Sequence, residues 1–185
     1  MDISKVVVLG ICTAVMAILC TSAAFFMTII PGVPIGFCPA VPVMVAFGIW
    51  FGGIGVASAY IGCAIGGLLK GFPLNYTLVV VAGDIFMAGI PYLAFKLLKS
   101  DPLLNGWKDW LVFITFGVLI NGIIASLWGA GTMTYFRLWP GTSFMVLWAQ
   151  YLIITFLMAG AISPFVLRYL TPYARKSNAY KLRAA

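Results

Sequence analysis

The chain has 185 residues, 63% of them hydrophobic and 8% charged, with a net charge of +7, four cysteines and no histidine. Soluble domains average about 25% charged residues, and 15 charged side chains (11 basic, 4 acidic) are too few to cover a water-soluble globule of this size. The composition therefore excludes a soluble domain and points to an all-α integral membrane protein with several spans.

Residues 6–30, VVVLGICTAVMAILCTSAAFFMTII, read as the first span. The apolar run after Lys5 is longer than the h-region of a signal peptide, so this segment is expected to stay as a helix. The Pro/Gly run PGVPIGFCPAVP, residues 31–42, reads as loop. Residues 41–69 are too long for one span and short for two, and Gly52-Gly53 offers a break. Short helices are expected at about 41–51 and 54–69. Further spans follow at 74–98, 110–130 and 143–170, giving a compact bundle of six transmembrane helices over residues 1–170 and a basic tail at 171–185.

Six spans put both termini on one side. Lys5, Lys96, Lys99, Lys108, Arg168, Arg175, Lys176, Lys181 and Arg183 then share that side, and only Lys70 and Arg137 lie opposite. By the positive-inside rule both termini are expected to be cytoplasmic, in the cell membrane. Topology and attraction to anionic lipid account for the basic charge, so no nucleic-acid partner is implied. With no histidine and no CxxC pair, no metal or haem cofactor is expected, and the cysteines (Cys12, Cys20, Cys38, Cys63) read as small hydrophobes.

Ionisable residues inside a membrane are costly and mark function by default. Asp84 is the one such residue away from a span end, about ten residues deep, or roughly 15 Å at the helical rise. Asn121 and Gln150 come from two other helices at similar depth. Asn75 and Tyr76 stand at the outer mouth of the fourth span, and Trp128, Tyr135, Trp139 and Trp148 line the outer ends of the last two. Apolar walls with a few placed polar groups are the make-up of a small-molecule pocket. A carboxylate near aromatic rings would suit a cationic or amine-bearing ligand. Arg137 is placed to meet a ligand anion or lipid head groups. The same residues also fit a plainer reading: an interfacial aromatic belt, interhelical amide bonds and a structural Asp84.

Small residues four apart recur in the first span, Gly10-x-x-x-Ala14 and Thr13-x-x-x-Ala17-x-x-x-Thr21, and in the third, Ala59-x-x-x-Cys63-x-x-x-Gly67 and Gly62-x-x-x-Gly66. They serve close packing within the bundle or docking of another membrane protein.

Six spans in under 200 residues, an outer aromatic pocket, the small-residue face on the first span and the stretch FCPAVPVMVAFGIWFGGIGVASAYIGCAIGGLL (37–69) resemble the substrate-binding S component of energy-coupling factor transporters. The resemblance implies capture of a vitamin or related micronutrient from outside. It also implies docking to a coupling subunit, here through Gly10, Ala14 and Ala17, and ATP hydrolysis by two partner ATPases. The chain carries no Walker A motif of its own. The family's AxxxA docking pattern is matched only in part, and its nickel- and cobalt-binding N-terminus is absent. An alternative is a membrane sensory module, to which GDIFMAG is a weak echo; such modules normally continue into a cytosolic output domain. An integral-membrane enzyme is a third reading, with Asp84 alone for acid–base work.

Overall fold

The computed structural model describes residues 3–29, 37–177 and 180, the side chains of 24–29 excepted. Among the described residues the chain is all-helical. Six helices follow in order: α1 Ile3–Ile29, α2 Ala40–Phe51, α3 Gly53–Leu69, α4 Leu74–Leu97, α5 Trp107–Tyr135 and α6 Phe144–Ala174. Helices α1, α4, α5 and α6 are long and apolar enough to cross a membrane. Helices α2 and α3, with 12 and 17 residues, extend about 18 and 26 Å, short of a hydrocarbon core of about 30 Å. Lipid offers no partner for backbone polar groups, so chains this apolar close their bonds within helices.

The breaks follow from local chemistry. Gly52 has φ +58° and separates α2 from α3. Gly71, at φ +81°, ends α3 in a Schellman turn: its N–H donates to the Leu68 carbonyl at 2.9 Å and that of Phe72 to the Gly67 carbonyl at 3.2 Å. Helix α5 ends in the same turn with Arg137 in the left-handed position at φ 52°, and α4 ends with Lys99 at φ 51° and the Ser100 N–H donating to the Phe95 carbonyl at 3.1 Å.

Several boundaries differ from expectation. The expected loop at 31–42 ends at Pro39, because α2 begins at Ala40 and Pro42 sits in its first turn, where a proline forfeits no helical bond; residues 30–36 lie outside the described residues. Helix α5 runs five residues past 130, carried through Thr132 and Thr134, whose hydroxyls donate to the carbonyls one turn back at 2.8 Å. Helix α6 continues to Ala174, four residues into the expected tail. Much of that tail, with Lys181 and Arg183, lies outside the described residues.

Close helix approach depends on glycine. A Cβ at Gly62 would sit 2.5 Å from the Met16 Cβ, and one at Gly66 2.8 Å from the Cys20 Cβ, so α3 lies directly on α1. A Cβ at Gly48 would fall 2.0 Å from the Ala88 carbonyl oxygen, seating α2 against α4. The core between them is built from Met16, Val45, Ile49, Trp50, Phe113 and Leu167. The Trp50 indole donates to the Thr171 hydroxyl at 2.8 Å, and Tyr92 packs at Gly52. The α2–α3 turn thus reaches the level at which α4 and α6 end. At that same end Asp109 accepts from the Asp101 and Gly106 N–H groups, and Arg175 pairs with Asp101.

Candidate functional site

Helix α4 is not continuous. It pauses at Val81, between Leu74–Val80 and Ala82–Leu97, and the Asp84 N–H reaches back to the Val81 carbonyl at 2.9 Å in a tighter turn. The pause makes a second helix N-terminus inside the span, and Asp84 occupies its first turn. The N-terminal end of a helix carries a partial positive charge, which favours an aspartate in the first turn.

Asp84 lines a cavity of about 140 Å³. Thr77, Val80, Val81 and Met87 line it from the same face of α4, at helical spacing. Helix α3 contributes Cys63, Gly67 and Lys70; α5 gives Ala125, Gly129 and Met133; α6 gives Tyr151, Ile154 and Thr155. Cys20 and Ala23 of α1, Cys38 of the segment before α2, and Val41 and Met44 of α2 complete the wall. The Cys63 thiol approaches the Asp84 carboxylate, and Cys20 stands between Cys63 and Cys38. All three cysteines are free, and no group of metal-ligating side chains converges among the described residues. Phe72, Tyr76 and Phe136 stack edge-to-face at the Lys70 end, with centroids 5.3 and 5.5 Å apart, so aromatic rings flank the cavity there.

Of the residues singled out from sequence, Asp84 and Tyr76 line this cavity; the others do not. Asn121 shares a face with Ala125, Gly129 and Met133 but lies one turn deeper, fully buried. Its amide donates to the Met87 carbonyl at 3.0 Å. That carbonyl lies four residues before Pro91, which has no N–H to give it, so Asn121 replaces a bond that proline removes. Gln150 is adjacent to Tyr151, which faces the cavity in its place; the Gln150 Oε1 is buried without a partner. Trp128 packs on Gly83 and donates to the Val79 carbonyl at 2.8 Å, bracing the pause in α4 from its outer surface. Trp148 donates to the Ser126 hydroxyl at 3.0 Å. Trp139 packs on the aromatic cluster around Tyr76, and Tyr135 is 81% exposed. Asn75 is exposed and accepts from the Tyr76 N–H. Arg137 is exposed in its left-handed cap.

The chain matches no protein family, no curated protein and no solved structure. Three features that sequence reasoning passed over belong to the cavity: the cysteines, Lys70 and Thr77. The spacing Cys63, Gly67, Lys70 (i, i+4, i+7) already places the first two on one face of α3, and Thr77 lies seven residues from Asp84 on α4.

The proposed docking residues divide. Ala17 is buried against α3, where its carbonyl meets Gly66. Gly10 and Ala14 face outward, and a Cβ at Gly10 would meet nothing within 4 Å.

Proposed function

We propose that this chain is the membrane-embedded substrate-capture subunit of an ATP-driven uptake system of the energy-coupling factor type, serving a vitamin or related small micronutrient. The observation that carries the reading is Asp84, set at a helix pause and facing a cavity whose other walls are mostly apolar. A lone carboxylate among apolar walls fixes the orientation of a ligand bearing a cationic or donor nitrogen.

In this reading the cavity communicates with the outer face at the aromatic Lys70 end, and both termini are cytoplasmic. The outward face of α1 around Gly10 and Ala14 docks a coupling subunit by close backbone approach. ATP hydrolysis belongs to two partner ATPases. The chain alone then binds but does not accumulate substrate.

Native mass spectrometry of the purified protein should show a co-purified metabolite. Proteoliposomes holding the chain with its coupling and ATPase subunits should accumulate that metabolite only with internal ATP. No bound metabolite, together with no thermal response to a panel of vitamins and amines, would overturn the proposal.

A further inference from the structure

Asp84 is not the only charged residue at the cavity. Lys70, which caps α3, lines it as well, with its ammonium 5.5 Å from the centre of the Phe72 ring. The two opposite charges share one small cavity, yet they form no ion pair; among the described residues the ion pair is Arg175 with Asp101. Lys70 is partly exposed and Asp84 lies deeper in the wall, so the fold keeps the two apart. It does so by anchoring Lys70 in the Schellman turn that ends α3, while Asp84 lies ten residues into α4, about 15 Å along the helix.

A third polar group lies between these levels. Thr77 is fully buried, lines the same cavity, and its Oγ1 has no hydrogen-bond partner. Among the described residues five buried side-chain polar atoms lack a partner, and of the five residues Thr77 is the one that lines the cavity, where a ligand could complete its bonding. The order along the wall is cation, hydroxyl, anion, with Val80, Val81 and Met133 filling the space beside them.

We infer that the cavity takes a small zwitterion whose charges sit at opposite ends: a cationic nitrogen at Asp84, a carboxylate at Lys70 and an apolar spacer between. The inference rests on the capture reading and narrows it to a substrate class. Size sets the spacer, because a cavity of about 150 Å³ holds one benzene molecule. At about 140 Å³ there is room for a short ω-amino acid, but not for a ring that carries both charged groups. An α-amino acid, with both charges on one carbon, spans too little.

The test uses the full chain in nanodiscs and compares 5-aminovalerate and 4-aminobutyrate with their singly charged counterparts: pentylamine, valerate, butylamine and butyrate. At least one zwitterion should bind about tenfold tighter than either of its counterparts, since each loses one charge-assisted contact. Lys70→Gln, at a partly exposed position, should lower zwitterion affinity to about that of the matching amine, and should not weaken the amine. Asp84→Asn should lower it to that of the acid. Amines binding as tightly as zwitterions, with no effect of Lys70→Gln, would overturn the zwitterion while leaving capture by Asp84 standing. The same holds if a vitamin binds through Asp84 and every zwitterion fails. Silence toward every probe, with no co-purified metabolite, overturns both.

Discussion

Single residues separate two jobs that look alike in the sequence. Asp84 and Asn121 are both polar, deep and flanked by apolar side chains, yet one faces a cavity and the other a proline-freed carbonyl. Asp84→Asn should leave the fold intact and cost about tenfold or more in ligand affinity, the scale of one charge-assisted hydrogen bond; isothermal titration checks it. Asn121→Leu should leave ligand contacts in place and cost about 1–3 kcal/mol of stability, because the Met87 carbonyl loses its donor. The structural role has its own signature. In Pro91→Ala the new N–H takes that carbonyl, so Asn121→Leu should then cost much less, and an SDS titration of the double-mutant cycle reads the coupling. Additive costs would refute the assignment. Arg137 offers a third contrast. It caps α5 at φ 52°, so Arg137→Gly should raise the unfolding midpoint, by about 1 kcal/mol in stability, through relief of a left-handed conformation.

At the scale of elements, glycine decides which helices touch and which face stays open. Gly48→Ala places a Cβ 2.0 Å from the Ala88 oxygen and should destabilise the bundle by about 1–3 kcal/mol, as overpacking does. Gly10→Leu projects into open space, so the isolated chain should keep its unfolding midpoint. Under the capture proposal the same variant should lose co-purification with the coupling subunit; retained assembly would remove α1 as the docking face. The two helix pauses with chemistry behind them, at Val81 and before Pro164, differ in use. In α6 a wider turn at Met158–Ile162 precedes Pro164, which cannot donate to Gly160. In α4 the pause exposes a helix N-terminus at Asp84, and the Trp128 indole takes the Val79 carbonyl beside it.

For the whole molecule, the question is whether α2 and α3 cross the membrane or fold back within it. Both are shorter than the hydrocarbon core, but the turn at Gly52 packs against Tyr92, and Trp50 bonds to Thr171. Under the six-span proposal that turn emerges on the side of residue 101, in a locally thinned bilayer. Topology reporters inserted after residue 52 should therefore appear on the same side as those at residue 101 and at both termini. Reporters at residues 71 and 140 should appear on the other. A reporter at 52 that is shielded from both sides would reduce the crossings to four.

The membrane class and the helix breaks were legible in the amino-acid order, because hydropathy and Gly/Pro chemistry act locally. Gly52 divides α2 from α3 where expected, and Asp84 stands out by charge alone. Which polar groups meet was not legible. A helix that is apolar all round carries no periodic stripe to reveal its facing side, and each residue turns the direction by about 100°. Gln150 and Tyr151 are neighbours in sequence, yet Tyr151 faces the cavity. Asn121 has the right face but lies one turn too deep. Lys70, Thr77 and the three cysteines came together only through the approach of α1, α3 and α4 across their glycines. Depth can be counted along the chain, but rotation about each helix axis is set by packing between helices, and that rotation decided what the cavity contains.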